Sequence, residues 1–232
     1  MKIKFIYLLP NFFTALSIFF GVMSIIAASQ GKFEKAFIYI ILSLIADGLD
    51  GRIARIANAT SDFGVEFDSL ADIVAFGVAP AMFLFFAIGE NYGKFGALVS
   101  GLFVVFGAIR LAKFNITASD PSYFIGLPIP TSAVVLASWV MLDVKYNSNF
   151  DTFLLIGALI LAFLMVSNFR YPSFKKIDLN KNVAFKVLIL IIIGASFIYL
   201  YPIESIAFIL TSYVLYGIIR SIKSYKRIIG SK

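Results

Sequence analysis

Residues 47–72 read Asp47-Gly48-Leu49-Asp50-Gly51-Arg52-Ile53-Ala54-Arg55, then eight residues, then Gly64-Val65-Glu66-Phe67-Asp68-Ser69-Leu70-Ala71-Asp72. Asp47 and Asp50 stand at i, i+3 and Asp68 and Asp72 at i, i+4, so each pair shares one face of a helix. The connection from Asn58 to Asp62 is short enough to fold the two helices back antiparallel and set the pairs opposite each other. Four converging carboxylates without cations would repel and take up protons. Arg52 and Arg55 are too few to neutralise all four, and one or two divalent ions would remove the penalty. With no His or Cys in the chain, an all-oxygen ligand set favours Mg²⁺, Mn²⁺ or Ca²⁺ over Zn²⁺. Asp62 reads as a helix N-cap. Glu66 reads either as support for the acidic cluster or as an exposed residue of the first helical turn.

Outward from this segment the chain is apolar. Of its 232 residues 60% are hydrophobic and 14% charged, against about 25% charged in an ordinary soluble domain. The mean hydropathy is +0.93. This composition excludes a water-soluble globule. The absence of Cys excludes disulfides and thiolate nucleophiles, and the absence of His excludes imidazole catalysis and Ser–His triads. Spanning a bilayer takes about 20 mostly apolar residues, and eight such runs are read at 10–29, 34–56, 63–89, 93–113, 129–144, 150–168, 183–200 and 203–221. The expected fold is an all-α polytopic bundle of about eight transmembrane helices, forming one domain over residues 1–232. The first run is read as a retained span and not as a cleaved signal. Pro128 and Pro130 open the fifth run, while Trp139 and the tyrosines suit interfacial positions.

With the N-terminus inside, the alternation of spans puts sixteen of the 20 Lys and Arg on the cytoplasmic side and leaves Lys32, Lys35, Lys94 and Lys145 outside, as the positive-inside rule requires. Both termini are therefore expected in the cytoplasm of a multi-pass cell-membrane protein, with the acidic segment at that face. The net charge of +7 is read as basic loops on anionic lipid, the run from Arg220 to Lys232 above all, and not as a nucleic-acid surface.

Gly48, Gly51, Ala54 and Gly64 leave the helix surface around the acids without bulk, so a phosphorylated ligand can approach the backbone closely. The competing reading is tight helix–helix packing. Arg55, four residues after Gly51, carries a planar fork suited to a pair of phosphate oxygens. Together these residues describe a site for a pyrophosphate-containing ligand.

The eight positions Asp47, Asp50, Gly51, Ala54, Arg55, Gly64, Asp68 and Asp72 match the motif of the CDP-alcohol phosphotransferase family, which the chain resembles. Within the family the wording is similar to the phosphatidylserine synthase branch. The stretches that carry this are Asp68-Ser69-Leu70-Ala71-Asp72 through Ala79-Pro80, Arg110 to Asn115, Gly126 to Pro130, Pro10-Asn11 with Thr14, and Met165 to Tyr171. The resemblance implies transfer of a phosphatidyl group from CDP-diacylglycerol, or from CDP-archaeol, to the hydroxyl of L-serine with release of CMP. It implies a six-helix core within the bundle and a homodimer. It also implies that Asp47, Asp50, Asp68 and Asp72 hold two divalent ions, with Asp72 as general base. Asn11, Thr14, Gly51, Ala54, Arg55, Ser61 (or Thr60) and Gly64 would bind the CDP-lipid.

A serine acceptor needs a cation for its carboxylate, and Arg110, with Lys113 and Asn115 about a turn beyond, is expected to form that pocket. The alternative for Arg110 and Lys113 is that they are ordinary cytoplasmic-end cations reaching lipid phosphate. Two other functions remain open on sequence grounds. One is a sister enzyme taking glycerol phosphate or inositol phosphate; the other is a divalent-cation channel or carrier, although the acids stop near one end of the spans.

Overall fold

The computed structural model describes residues 8–57, 59–116, 123–172 and 194–229. Helix α1 runs Leu8–Ser29, α2 Phe33–Ile56 and α3 Asp62–Asp72. A π-helical segment, Ile73–Val78, continues α3 directly into α4, Ala79–Ala87. A 3₁₀ turn at Gly89–Tyr92 leads to α5, Lys94–Ile116. Strand β1 is Tyr123–Ile125, α6 Ile129–Tyr146, α7 Asp151–Val166, β2 Arg170–Pro172 and α8 Pro202–Ile229. Among the described residues four helical stretches are long and apolar enough to cross a membrane on their own: Leu8–Ser29, Asp62–Ala87, Lys94–Ile116 and Pro202–Lys223. The chain is an all-α integral membrane bundle. Of the seventh expected run, residues 183–193 lie outside the described residues and 194–200 are helical. Asn58 and the Ser119–Pro121 turn also lie outside them.

Helices α1 and α2 form the most extensive contact in the bundle, and small residues make it possible. The face of α1 turned inward carries Thr14, Ser17, Gly21, Ser24 and Ala28, a stripe at helical spacing that lets two backbones approach. Opposite it α2 presents Ala36, Ile40, Ser43, Ala46 and Asp50. Hydrogen bonds lace the seam. Ser24 Oγ donates to the Ala36 carbonyl at 2.9 Å, the Ser17 and Ser43 hydroxyls meet at 2.8 Å, and Thr14 Oγ1 donates to Asp50 Oδ2 at 2.7 Å. The rungs keep one antiparallel register, so the seam that packs the hairpin also fixes where Asp50 stands.

Behind this hairpin α6 is the central helix, with Ile129, Ala133, Val134, Val135, Leu136, Ala137 and Val140 all buried. As expected from Pro128 and Pro130, α6 opens with Pro128 as its cap residue and Pro130 in the first turn. Trp139 departs from the expectation. Its indole N–H donates to Thr211 Oγ1 of α8 at 2.9 Å, and its ring fills the space over Gly157 of α7. A mid-helix Trp with a polar partner ties three helices together instead of marking a lipid interface.

The all-helical expectation also missed a two-stranded antiparallel ribbon, in which Tyr123 pairs with Pro172, Phe124 with Tyr171 and Ile125 with Arg170. Three-residue strands are too short to show an alternating pattern. Gly126 ends the ribbon at φ +76°, where a side chain would collide with the Met165 carbonyl oxygen.

Among the described glycines, the tightest approach is between the 3₁₀ turn and the start of α5, where a Cβ on Gly96 would run into the Gly89 carbonyl. Gly101, five residues on, has nothing within 4 Å of such an atom. Gly96→Ala should destabilise the protein by about 1–3 kcal/mol through overpacking. Gly101→Ala should be neutral or stabilise it by up to about 1 kcal/mol through helix propensity. Thermal unfolding of both variants in the same detergent gives the comparison, and equal midpoints would contradict the packing described.

Candidate functional site

The site grows from the open end of the α1–α2 seam. Asp50 is 6% exposed, and the Thr14 hydroxyl that engages its Oδ2 also lies 3.2 Å from the Pro10 carbonyl of its own helix. Helix α3 then returns beside α1. The sequence reading placed its N-cap at Asp62, whereas the cap is Ser61: its Oγ accepts the Gly64 N–H at 3.1 Å, and Asp62 is the first helical residue. Ser61 is extended (φ −144°, ψ 152°), the backbone state an N-cap requires.

This return brings Asp68 to the α2 acids. One carboxylate oxygen each from Asp47, Asp50 and Asp68 lie within 4.8 Å of one another. Asp72 is not part of that triplet. It stands one turn further along α3, where its carboxyl meets that of Asp47. Its Oδ1 is buried without a hydrogen-bond partner. Glu66 is exposed on the other side of α3 and stays apart from the cluster.

A hard divalent cation fits this donor set. The ligands are all oxygen, and the spacing of the triplet is one that an ion bonded at about 2.0–2.6 Å can span. The unpartnered Asp72 oxygen adds a buried acceptor beside it. A buried carboxylate oxygen with no donor is disfavoured by roughly 1–3 kcal/mol or more unless something else satisfies it.

Beside the acids lies an open cleft of about 560 Å³, counting the space at its mouth. Its walls are Pro10, Asn11 and Thr14 of α1, Asp50, Gly51, Ala54 and Arg55 of α2, the loop residues Ala59, Thr60 and Ser61, and Gly64, Val65 and Asp68 of α3. All seven residues expected to bind a nucleotide-linked lipid are therefore in one place. Gly51 sits under the Arg55 guanidinium, with Nη1 3.6 Å from where its Cβ would be. That is ordinary contact, so the protein itself gives no steric reason for glycine there. Gly64 is tighter: a Cβ would lie 3.2 Å from Ser61 Oγ and 3.5 Å from Asn11 Oδ1.

The three residues expected to form one acceptor pocket take separate partners. Arg110 is 8% exposed, lies over the Phe114 ring at 5.4 Å and is within electrostatic reach of Asp72, without closing to a direct ion pair. Its Nε is buried and has no partner. Lys113 Nζ donates to Asn168 Oδ1 at 3.2 Å, in the link between α7 and β2. Asn115 Nδ2 donates to Ser69 Oγ at 3.0 Å. Arg110 alone of the three interacts with an acid of the cluster. Lys113, one turn on along the same side of α5, is drawn to Asn168 instead, and Asn115, five residues on, lies on another face and meets α3 at Ser69. Ser69 and Asn168 were not singled out from sequence. Ser69 lay within the acidic motif, but neither residue carries a charge or spacing that marks it.

Comparison with known proteins bears on this arrangement. The model of the CDP-alcohol phosphatidyltransferase family matches residues 7–169. A Helicobacter pylori protein named CDP-diacylglycerol–serine O-phosphatidyltransferase is 50% identical over 237 aligned residues, covering 100% of this chain and 98% of its own. A Bacillus subtilis protein of the same name is 38% identical over 67% of this chain and 85% of its own. An archaetidylserine synthase from Methanothermobacter thermautotrophicus is 33% identical over 74% of this chain and 72% of its own. The family match takes in the α1–α2 hairpin, the acidic cluster, the cleft and the bundle through α7, and the chain belongs to the CDP-alcohol phosphatidyltransferase family.

Proposed function

We propose that this protein transfers a phosphatidyl group from CDP-diacylglycerol, or from its archaeol equivalent, to the hydroxyl of L-serine and releases CMP. The observation that carries the reading is the single cleft: the motif residues Gly51, Ala54, Arg55 and Gly64, with Asn11, Thr14 and Ser61, all open onto Asp50 and Asp68. The names of the relatives support serine as the acceptor over phosphorylated polyols, and they leave both kinds of lipid backbone in play.

In this reading the pyrophosphate lies in the cleft beside Gly51, and the Arg55 fork above that glycine binds phosphate oxygens of the departing CMP. The serine hydroxyl attacks the phosphorus that carries the lipid. Its oxygen forms the new P–O bond as the bond to the CMP oxygen breaks, and the hydroxyl proton passes to Asp72. An alcohol is a poor nucleophile at neutral pH and needs such a base at hydrogen-bond distance. Two divalent ions, Mg²⁺ or Mn²⁺ with Ca²⁺ as the alternative, would be held by Asp47, Asp50, Asp68 and Asp72 and would supply positive charge to the phosphate oxygens. Arg110, buried beside Asp72 with an unpartnered Nε, takes the serine carboxylate. The placement of the cleft and both termini at the cytoplasmic face rests on the charge asymmetry of the loops, and the homodimer rests on the family resemblance alone.

The deciding assay incubates purified protein with CDP-diacylglycerol or CDP-archaeol and serine, glycerol phosphate or inositol phosphate, with and without a divalent ion. CMP release should need serine and stop with chelator; release with a phosphorylated polyol and not serine would overturn the assignment. Asp72→Asn should lower turnover by about 10²–10⁴-fold, the range for losing a general base, while CDP-lipid binding by titration stays close to the parent. Arg110→Ala should raise the serine KM by about ten- to a hundredfold, as loss of a charge-assisted hydrogen bond does. Its CDP-lipid KM should change far less, and equal shifts in both would remove Arg110 from the acceptor site.

A further inference from the structure

Helix α3 contributes Asp68 and Asp72, and its contacts with other helices are few. It packs against α1 on one side. At its N-terminus Ser61 caps it, and at its C-terminus it runs into the π-helical segment Ile73–Val78. A π segment has i→i+5 hydrogen bonds and a wider turn than an α-helix, so it offsets the face of α3 from that of α4 within one continuous span. Apart from the carboxyl contact between Asp47 and Asp72, one side-chain hydrogen bond reaches α3 from another helix among the described residues. It is Asn115 Nδ2 to Ser69 Oγ at 3.0 Å. Ser69 passes the constraint to the backbone, its hydroxyl donating to the Val65 carbonyl at 3.1 Å. The far end of this strut is anchored too, since Lys113, two residues before Asn115, donates to Asn168 beyond α7.

We propose that Asn115 and Ser69 are positioning residues: their hydrogen bond sets the rotation of α3 and so the approach of Asp68 and Asp72 to the acids of α2. Asn115 then acts through α3 and does not touch the acceptor. Ser69 follows Asp68 directly and precedes Asp72 by three residues, so a small rotation about the α3 axis displaces both carboxylates together. The turnover part of the argument rests on the phosphatidyl-transfer reading above; the metal-binding part does not.

The test uses full-length protein in lipid nanodiscs, with Asn115→Ala, Ser69→Ala and the double variant. Mn²⁺ affinity is measured by electron paramagnetic resonance, and kcat and serine KM by CMP release. Each single variant should weaken Mn²⁺ binding and lower kcat by about two- to tenfold, the range for losing one hydrogen bond, with the serine KM within twofold of the parent. The double variant should be no worse than the weaker single, because both remove the same bond. Additive losses, or unchanged Mn²⁺ affinity in Ser69→Ala, would overturn the proposal. So would a raised serine KM confined to Asn115→Ala at constant kcat, which would place Asn115 at the acceptor. Ser69→Ala is close to isosteric and favours helix, so it keeps the test open if Asn115→Ala folds poorly. If the parent releases no CMP with serine, the transfer reading has failed while the Mn²⁺ comparison still decides the role of the pair.

Discussion

Carboxylate repulsion governs the organisation of this protein. Three acids bring oxygens within 4.8 Å of one another in a bundle whose outer surface is apolar, and a fourth is buried against one of them. Left to themselves they would push α2 and α3 apart. Against this, the α1–α2 seam holds Asp50 in place. Small residues bring the helices close, and a series of hydroxyl hydrogen bonds ends on Asp50 itself. The acid is thus the last rung of a packing motif, and displacing it would unlace the hairpin.

The remaining elements divide the work between scaffold and site. Helix α6 is buried nearly all round, and Trp139 links it to α7 and α8. The short ribbon ties the end of α7 to the start of α6, with Gly126 N–H bonded to the Phe169 carbonyl at 2.8 Å. The site lies off this core, on the α1–α2 hairpin and the half-helix α3. Gly21 of α1 passes so near the π segment that a Cβ would be 2.9 Å from Ala75 Cα. That contact sets the end of α3 against α1, and its hydrogen-bond link to α5 lies on a different element.

Much of this was legible in the sequence because the chemistry is expressed as charge in an apolar context. Four aspartates at i, i+3 and i, i+4 spacing, joined by a short loop, point to a helical hairpin. Gly51, Ala54, Arg55 and Gly64 follow from the motif around them, and Asn11, Thr14 and Ser61 from the family resemblance beyond it. What escaped has a physical reason in each case. The N-cap falls on Ser61 and not Asp62 because both residue types cap well and the backbone turn chooses between them. Asn115 and Lys113 were grouped with Arg110 by nearness in sequence, but Asn115, five residues on, lies on another face of α5, and Lys113, on the same side as Arg110, is taken by Asn168. The ribbon has too few residues to show a period, and Trp139 has the composition of an interfacial residue with the surroundings of a core one.

Gly51 and Gly48 have a consequence for any attempt to improve this protein. A methyl group at either position meets nothing closer than ordinary contact within the fold, and alanine is the better helix former by about 1 kcal/mol. An optimiser that scores the ligand-free chain would therefore fill both sites early and record a gain. Of the two, Gly51 lines the cleft, so at that position robustness of the fold and occupancy of the cleft pull in opposite directions, whereas at Gly48 the gain carries no such cost within the cleft.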